Sequence, residues 1–462
     1  MTSRRRRLTV TLTTSVAIVT GGSAGALALW PNHATDPATS APKAALLSVR
    51  RAPAVLRTFV AGTRLATRID AFTASLSPTS CVVADAGDAE VYSHNPDQSL
   101  IPASSLKLTT AAAFLAEVGG TGTFSTVVRG AKPDASGTVA GALTLVGGGD
   151  PMLSTSGYVA SRKHPPKPAT DVATLASKLV SAGVRRVTGG ITVDDTRFDN
   201  ERRVPTWKPT YTTDGDVGPI GALAVDDGFT SYAPRVIAAP DPGVAAGEKL
   251  RAALAALGVT VDGPTVRAAS RGGSQLAAVA SAPYAEIVGE MLRESDNNTA
   301  ELLLKELAHA RGSAPATRAE GATARVAALR TLGVATDAVK AIDGSGLDRS
   351  DRATCAALLA TLTTKPGGFD LEDMLATAGK TGTLFDRFTR SPLAGRMRAK
   401  TGSLEDVTAL VGVTDPTISE PLRFAFIANG SFTDAGGKAL QDRLVSALAT
   451  YPEAPDAATL AP

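Results

Sequence analysis

The sequence predicts a multidomain α/β protein, on three observations. The chain has 462 residues, more than one compact domain usually holds, so two or three domains are expected. Its composition is globular, 44% hydrophobic and 20% charged, which supplies a large core. Along its length, stretches with strand-like alternation interleave with stretches of helical periodicity.

Taken in order, the chain opens on Arg4, Arg5, Arg6 and Arg7, followed by residues 8–30 without a single charge. Residues 1–30 read as an export signal, or as a signal-anchor if uncleaved. Their several Thr, Ser and Gly residues favour cleavage. Residues 31–53, rich in Ala, Pro, Ser and Thr, read as a linker. Residues 54–76 look helical, and residues 80–95 (CVVADAG, a polar turn, then EVYSHN) look like a hairpin. Residues 101–120, IPASSLKLTTAAAFLAEVGG, read as a buried helix opened by Pro102 and closed by Gly119 and Gly120. Short strands are expected over 124–146, a helix over 172–182 and a strand over 190–194. Residues 201–216 form an irregular polar stretch carrying Trp207, and 236–279 resume helix and strand. A single long helical pattern spans 284–311, with further helices over 317–332 and 352–364. Residues 404–414 and 422–429 alternate like paired strands, 436–450 form an amphipathic helix, and 452–462 a disordered tail.

Composition excludes several function classes. The four N-terminal arginines account for the formal net charge of +3, so the body is near neutral and has no basic footprint for nucleic acid. Four histidines, His33, His94, His164 and His309, form no metal-binding pattern, which argues against a zinc hydrolase. The two cysteines, Cys81 and Cys355, either pair in an oxidising compartment or are buried apolar thiols.

The chemistry begins at Ser104 and Lys107. Residues three apart share a helix face, so hydroxyl and amine can touch. An amine on an apolar helix, near the positive end of its dipole, is pushed towards its neutral form. A neutral amine can take a serine's proton, giving a nucleophile–base pair without histidine. Spacing alone is weak, since Ser40 and Lys43 repeat it in the linker around Pro42, where no helix holds them. Two further motifs follow in fixed order: Ser295-Asp296-Asn297, then Lys400-Thr401-Gly402 with Ser403 after it. Each triplet is common, but the ordered set is not. Ser93-His94-Asn95 matches the second motif but precedes the nucleophile. Lys380-Thr381-Gly382 matches the third, but Lys400 leads into the alternating strand pattern through Val407, Val411 and Val413. Such a triplet belongs on an edge strand that can pair with an extended peptide. A phosphate-binding loop ending at Lys380 fails because its first position is Met374 instead of glycine.

On these motifs the chain resembles the D-alanyl-D-alanine carboxypeptidases/endopeptidases of the class C low-molecular-mass penicillin-binding proteins, the penicillin-binding protein 4 group. The resemblance runs from about residue 65 to 451 and includes PASSLKLTTAAA, LTLVGGGDP, ITVDDTRF, SDNNTAELLLK, DGSGLDRSDRAT and RAKTGSL. It implies a β-lactamase-like transpeptidase domain, an antiparallel sheet flanked by helices, split by one or two inserted smaller domains. The two parts would be 54–120 and 281–451, and the insert 121–280.

The resemblance also implies roles. Ser104 attacks the carbonyl between two D-alanines of a peptidoglycan stem peptide, and Lys107 takes its proton. Ser295 and Lys400 relay a proton to the leaving amine. The N–H groups of Ser104 and Ser403 form the oxyanion hole, Asn297 binds the substrate amide, and Thr401 with Lys400 receives the terminal carboxylate beside Gly402. β-Lactams acylate the serine. No metal or cofactor is required, and the membrane is touched only through an uncleaved N-terminus. Two rivals share the pocket: a β-lactamase, for which the sequence lacks a Glu-x-x-Leu-Asn deacylation motif, and a non-catalytic wall-binding or β-lactam-sensing protein.

Overall fold

The computed structural model describes residues 54–164, 167–415 and 420–452. The export signal, the linker and nearly all of the C-terminal tail lie outside the described residues. Among the described residues no helix is long and apolar enough to cross a membrane.

The sheet that carries the site is antiparallel and six-stranded. Its order is Ala376–Thr377, Met397–Leu404, Val407–Thr414, Leu422–Asn429, Ser80–Ala86, Ala89–His94. It is therefore assembled from both ends of the chain. Its central strands are covered on both faces, which is why VTALVGVT and FAFIA read as near-continuous apolar runs. Period-two alternation sorts their side chains. Val82, Ala84, Leu410, Phe424 and Phe426 face helices Ala54–Thr73 and Asp434–Leu448, where Phe72 meets Phe426 edge-on at 5.5 Å. Cys81, Val83, Ala409, Val411, Ala425 and Ile427 face the helical layer built around Lys107–Glu117. Cys81 is disulfide-bonded to Cys355 at the start of helix Cys355–Thr363, fastening that layer to the sheet.

Helix Lys107–Glu117 is buried from Lys107 to Leu115. Its run of alanines lets four neighbouring helices close around it, and Phe114 supplies the bulk, edge-on to Tyr284 at 5.3 Å and beside Phe124. Phe114→Ala is expected to cost about 3–5 kcal/mol through lost burial and a residual cavity, read as a lower melting temperature.

Two sequence expectations are corrected. Residues 101–120 are not helical throughout: a 3₁₀ turn, Ala103–Leu106, precedes the α-helix, which starts at Lys107. The pattern over 284–311 is two helices, Tyr284–Glu294 and Asn297–Ala310. Ser295 has φ of +62°, ending the first helix in a left-handed residue, and the Asp296 carboxylate caps the second by accepting from the Thr299 N–H at 2.9 Å. Periodicity cannot see this break, because both helices bury the same apolar face.

Between the two contributions to the main sheet, strands Ser125–Gly130 and Ser274–Ala280 pair antiparallel, with Ser125 opposite Ala280. They belong to a five-stranded mixed sheet with Leu143–Val146, Ile191–Asp194 and Thr265–Arg267, packed with helices Val172–Ser181 and Pro242–Ala256 around a separate apolar core. The polar stretch near Trp207 buries that ring in a small cluster of its own with Phe198, Val217, Leu302 and Leu347, packing it against the base of the helix that begins at Asn297.

Candidate active site

Ser104 sits in the Ala103–Leu106 turn, one turn ahead of Lys107. The residue before it, Ala103, has φ of +47°, an unusual conformation for alanine held by close packing. Gly346, itself at φ +84°, lies so near that a Cβ there would fall 2.0 Å from the Ala103 carbonyl oxygen. The loop carrying Gly346 thus has to be glycine where it supports the serine turn.

The Lys107 Nζ is fully buried and has three partners: Ser104 Oγ at 3.0 Å, Asn297 Oδ1 at 2.6 Å and the Ser345 carbonyl at 2.7 Å. The Asn297 amide is oriented by its Nδ2 donating to the Asp216 carbonyl at 2.8 Å, so its oxygen faces the lysine. Two of the three partners can therefore only accept. A neutral amine has two N–H groups and one lone pair. Asn297 and Ser345 take the two N–H groups, which leaves the lone pair aimed at the Ser104 hydroxyl. That is the arrangement a general base requires.

Burial pushes Lys107 down to about 8, while Asp343, Glu301, Asp296 and Asp351 oppose that fall. Glu301 lies on helix Asn297–Ala310 and accepts from the N–H groups of Gly344 and Ser345 at 3.0 and 2.8 Å. Its own carboxyl is pushed up to about 7, by burial first and then by Asp343. Asp343 in turn accepts from the Gly346 and Asp348 N–H groups and from the Trp207 indole. This buried network fixes the loop whose carbonyl holds Lys107.

Above about pH 8 Lys107 is neutral, so a reaction that needs it as a base accelerates with rising pH through that value. Glu301→Gln keeps the acceptor oxygen but removes a charge that holds Lys107 protonated. The ascending limb of the acylation rate against pH is expected to move to lower pH in this variant, measured with a chromogenic β-lactam.

Lys400 lies on strand Met397–Leu404 and is also fully buried. Its Nζ donates to Ser295 Oγ at 2.9 Å and to the Thr401 carbonyl at 2.8 Å. Burial, and then the charge of Lys107, hold Lys400 well below the usual lysine range. Strand Ala376–Thr377 pairs only with Ala399 and Arg398, so from Lys400 onward that side of the strand is open for an extended ligand. Gly402 passes the serine turn closely: a Cβ there would lie 2.8 Å from the Pro102 carbonyl and 3.2 Å from the Ser105 nitrogen. Ser403 follows, opposite Thr408. The Thr401 hydroxyl is hydrogen-bonded to Thr383 Oγ1 at 3.0 Å.

The structure thus brings together Ser104, Lys107, Ser295, Asn297 and Lys400, with Thr401, Gly402 and Ser403 on the adjoining strand. Lys380-Thr381-Gly382 lies elsewhere, in the turn after Ala376–Thr377, with Lys380 exposed. Sequence reasoning assigned no role to Ser345, Glu301, Asp343, Asp216 or Thr383. The glycines and aspartates of DGSGLD, and a glutamate inside the apolar run AELLLKEL, were the available signals. Among the described residues no group of metal-ligating side chains is present.

Residues 70–240 and 230–451 match the model of the D-Ala-D-Ala carboxypeptidase 3 (S13) family. The chain is 33% identical to carboxypeptidase DacB of Mycolicibacterium smegmatis over 75% of each protein. It is 29% identical to the D-alanyl-D-alanine carboxypeptidase of Actinomadura sp. strain R39 over 82% of each. Among solved structures, penicillin-binding protein 4 of Haemophilus influenzae superposes with a TM-score of 0.70 at 21% identity, covering 82% of this chain and 98% of that one. This last likeness shows the same fold.

Proposed function

The chain belongs to the D-Ala-D-Ala carboxypeptidase 3 (S13) family, and on that premise we propose that Ser104 is the nucleophile of a serine-type D,D-peptidase acting on peptidoglycan stem peptides. The observation that carries the assignment is Lys107, whose two acceptor-only partners leave its lone pair for Ser104 Oγ at 3.0 Å. Ser104 Oγ attacks the carbonyl of the penultimate D-alanine as its proton passes to Lys107. The N–H groups of Ser104 and Ser403 take the developing oxyanion. The C–N bond then breaks, and the proton that Lys107 took from Ser104 is passed on through Ser295, hydrogen-bonded to Lys400, to the leaving amine, which returns Lys107 to its neutral form. Water hydrolyses the acyl-enzyme, with Lys107 again as base. The second N–H of Asn297 Nδ2, not used by Asp216, remains for the substrate's acyl amide. The terminal carboxylate competes with Thr383 for the Thr401 hydroxyl, and its charge favours protonated Lys400.

The domain division follows the same reading: 54–120 and 281–451 form the transpeptidase-like part, and 121–280 the insert, supported by the pairing of its first and last strands. The enzyme works outside the cytoplasmic membrane, as its cell-wall family implies. Residues 1–30 would direct export, with a membrane anchor only where they are retained. The solved penicillin-binding protein 4 of Haemophilus influenzae has been captured with a β-lactam, and covalent β-lactam acylation of Ser104 belongs to this proposal. Incubation with a pentapeptide ending in D-Ala-D-Ala tests the function: release of D-alanine is expected, and its absence overturns the assignment. Long-lived acylation by penicillin is expected; rapid turnover of the antibiotic would instead make the protein a β-lactamase.

A further inference from the structure

Helix Asn297–Ala310 opens on two asparagines, a residue type that ordinarily favours caps and turns over helical positions. Asn297 accepts from Lys107 and donates to the Asp216 carbonyl. Asn298 points elsewhere and is almost fully buried. Its Oδ1 accepts from the Gly218 N–H at 2.8 Å, and its Nδ2 donates to the Asp227 carbonyl at 3.4 Å. Both partners belong to one tight fold of the chain, since a Cβ on Gly218 would fall 1.8 Å from that same Asp227 oxygen.

Asp216, by contrast, is exposed at the rim of a cleft of about 350 Å³ that Ser295 and Asn297 also line, and it follows Gly215 at φ +84°. Its peptide is held from two sides. The Asp216 and Val217 N–H groups donate to the Tyr211 carbonyl at 2.8 and 3.2 Å. Those bonds shape the loop but move with it. The Gly218 bond to Asn298 ties the loop to the helix that carries Asn297, one residue away from it.

We propose that Asn298 is a positioning residue for the reaction: it latches segment 216–218 to the start of this helix, so that the Asp216 carbonyl turns the oxygen of Asn297, and not its NH2, towards Lys107. The inference rests on the reading of Ser104 and Lys107 as nucleophile and base. With the latch open, the Asn297 amide is free to turn over. Its Nδ2 would then donate to the Lys107 lone pair and take it away from Ser104. An N–H facing the amine also disfavours the ammonium form, which lowers the pH at which Lys107 becomes neutral. The stretch 121–280 thereby acts on the base without touching it.

The test is acylation of the full chain by a chromogenic β-lactam across pH, as wild type, Asn298→Leu and Asn298→Asp. Asn298→Leu removes both bonds at nearly constant volume. It is expected to lower the plateau rate about tenfold, the scale of one hydrogen bond, and to move the ascending limb to lower pH. The charges around Lys107, namely Asp343, Glu301, Asp296, Asp351 and Lys400, are all retained, so a moved limb reports the amide. Asn298→Asp keeps the acceptor for Gly218 and is judged on its plateau, expected within about threefold of wild type. An unchanged plateau in Asn298→Leu, a lower plateau with an unmoved limb, or equal losses in the two variants would each overturn the latch. If Asn298→Leu does not fold, Gly218→Ala carries the same prediction from the other side of the contact. A wild type that no β-lactam acylates overturns the reading of Ser104 itself.

Discussion

Ser104→Ala is expected to abolish covalent labelling by a β-lactam and to lower D-alanine release by about 10⁴-fold or more, the scale on which loss of the nucleophile acts in serine hydrolases. The size of the effect follows from the geometry. Among the described residues Ser104 is the one hydroxyl hydrogen-bonded to Lys107 Nζ, and Gly402 and Gly346 press against the turn that presents it. The neighbouring Ser105 cannot replace it, since its hydroxyl is buried and donates to the Pro102 carbonyl at 2.7 Å. Gel detection of a fluorescent penicillin checks the labelling, and residual labelling would place the nucleophile elsewhere.

Lys107→Met is expected to slow acylation by about 10²–10⁴-fold, the usual contribution of a positioned general base. The substitution keeps the length of the apolar stem but strands two acceptors, Asn297 Oδ1 and the Ser345 carbonyl, that now lack a donor. The fold should persist, because the variant also removes an ammonium from a fully buried site. Stopped-flow acylation at saturating base separates the two roles. A rate that still rises with pH through about 8 in the variant would show that another group is the base.

Much of this site was legible in the sequence because each group proposed to act in catalysis travels with its own short motif. Ser104 and Lys107 share one turn, Ser295 and Asn297 flank one helix start, and Lys400 through Ser403 occupy one strand. The sheet was legible through the apolar, β-branched stretches Val407–Thr414 and Leu422–Asn429, although the alternation expected of them is a near-continuous apolar run because both faces are covered. The groups that set the chemistry were not. Asp216 and Ser345 act through backbone carbonyls, which almost any residue type would supply, and Thr383 through one hydroxyl outside any motif, so no pattern announces them. Glu301 and Asp343 tune Lys107 from 194 and 236 positions along the chain, and only burial makes their charges count. The helix break at Ser295 also escaped periodicity. A left-handed residue and an Asp cap need only one turn to interrupt a helix whose apolar stripe continues.

The central claim is that Ser104 becomes acylated because Lys107 draws its proton. Peptide mapping by mass spectrometry after brief exposure of the wild-type enzyme to penicillin tests it most directly. A single added acyl group is expected on the peptide containing Ser104, formed faster as pH rises through about 8. An adduct on any other residue, or a rate that falls over that interval, would contradict it.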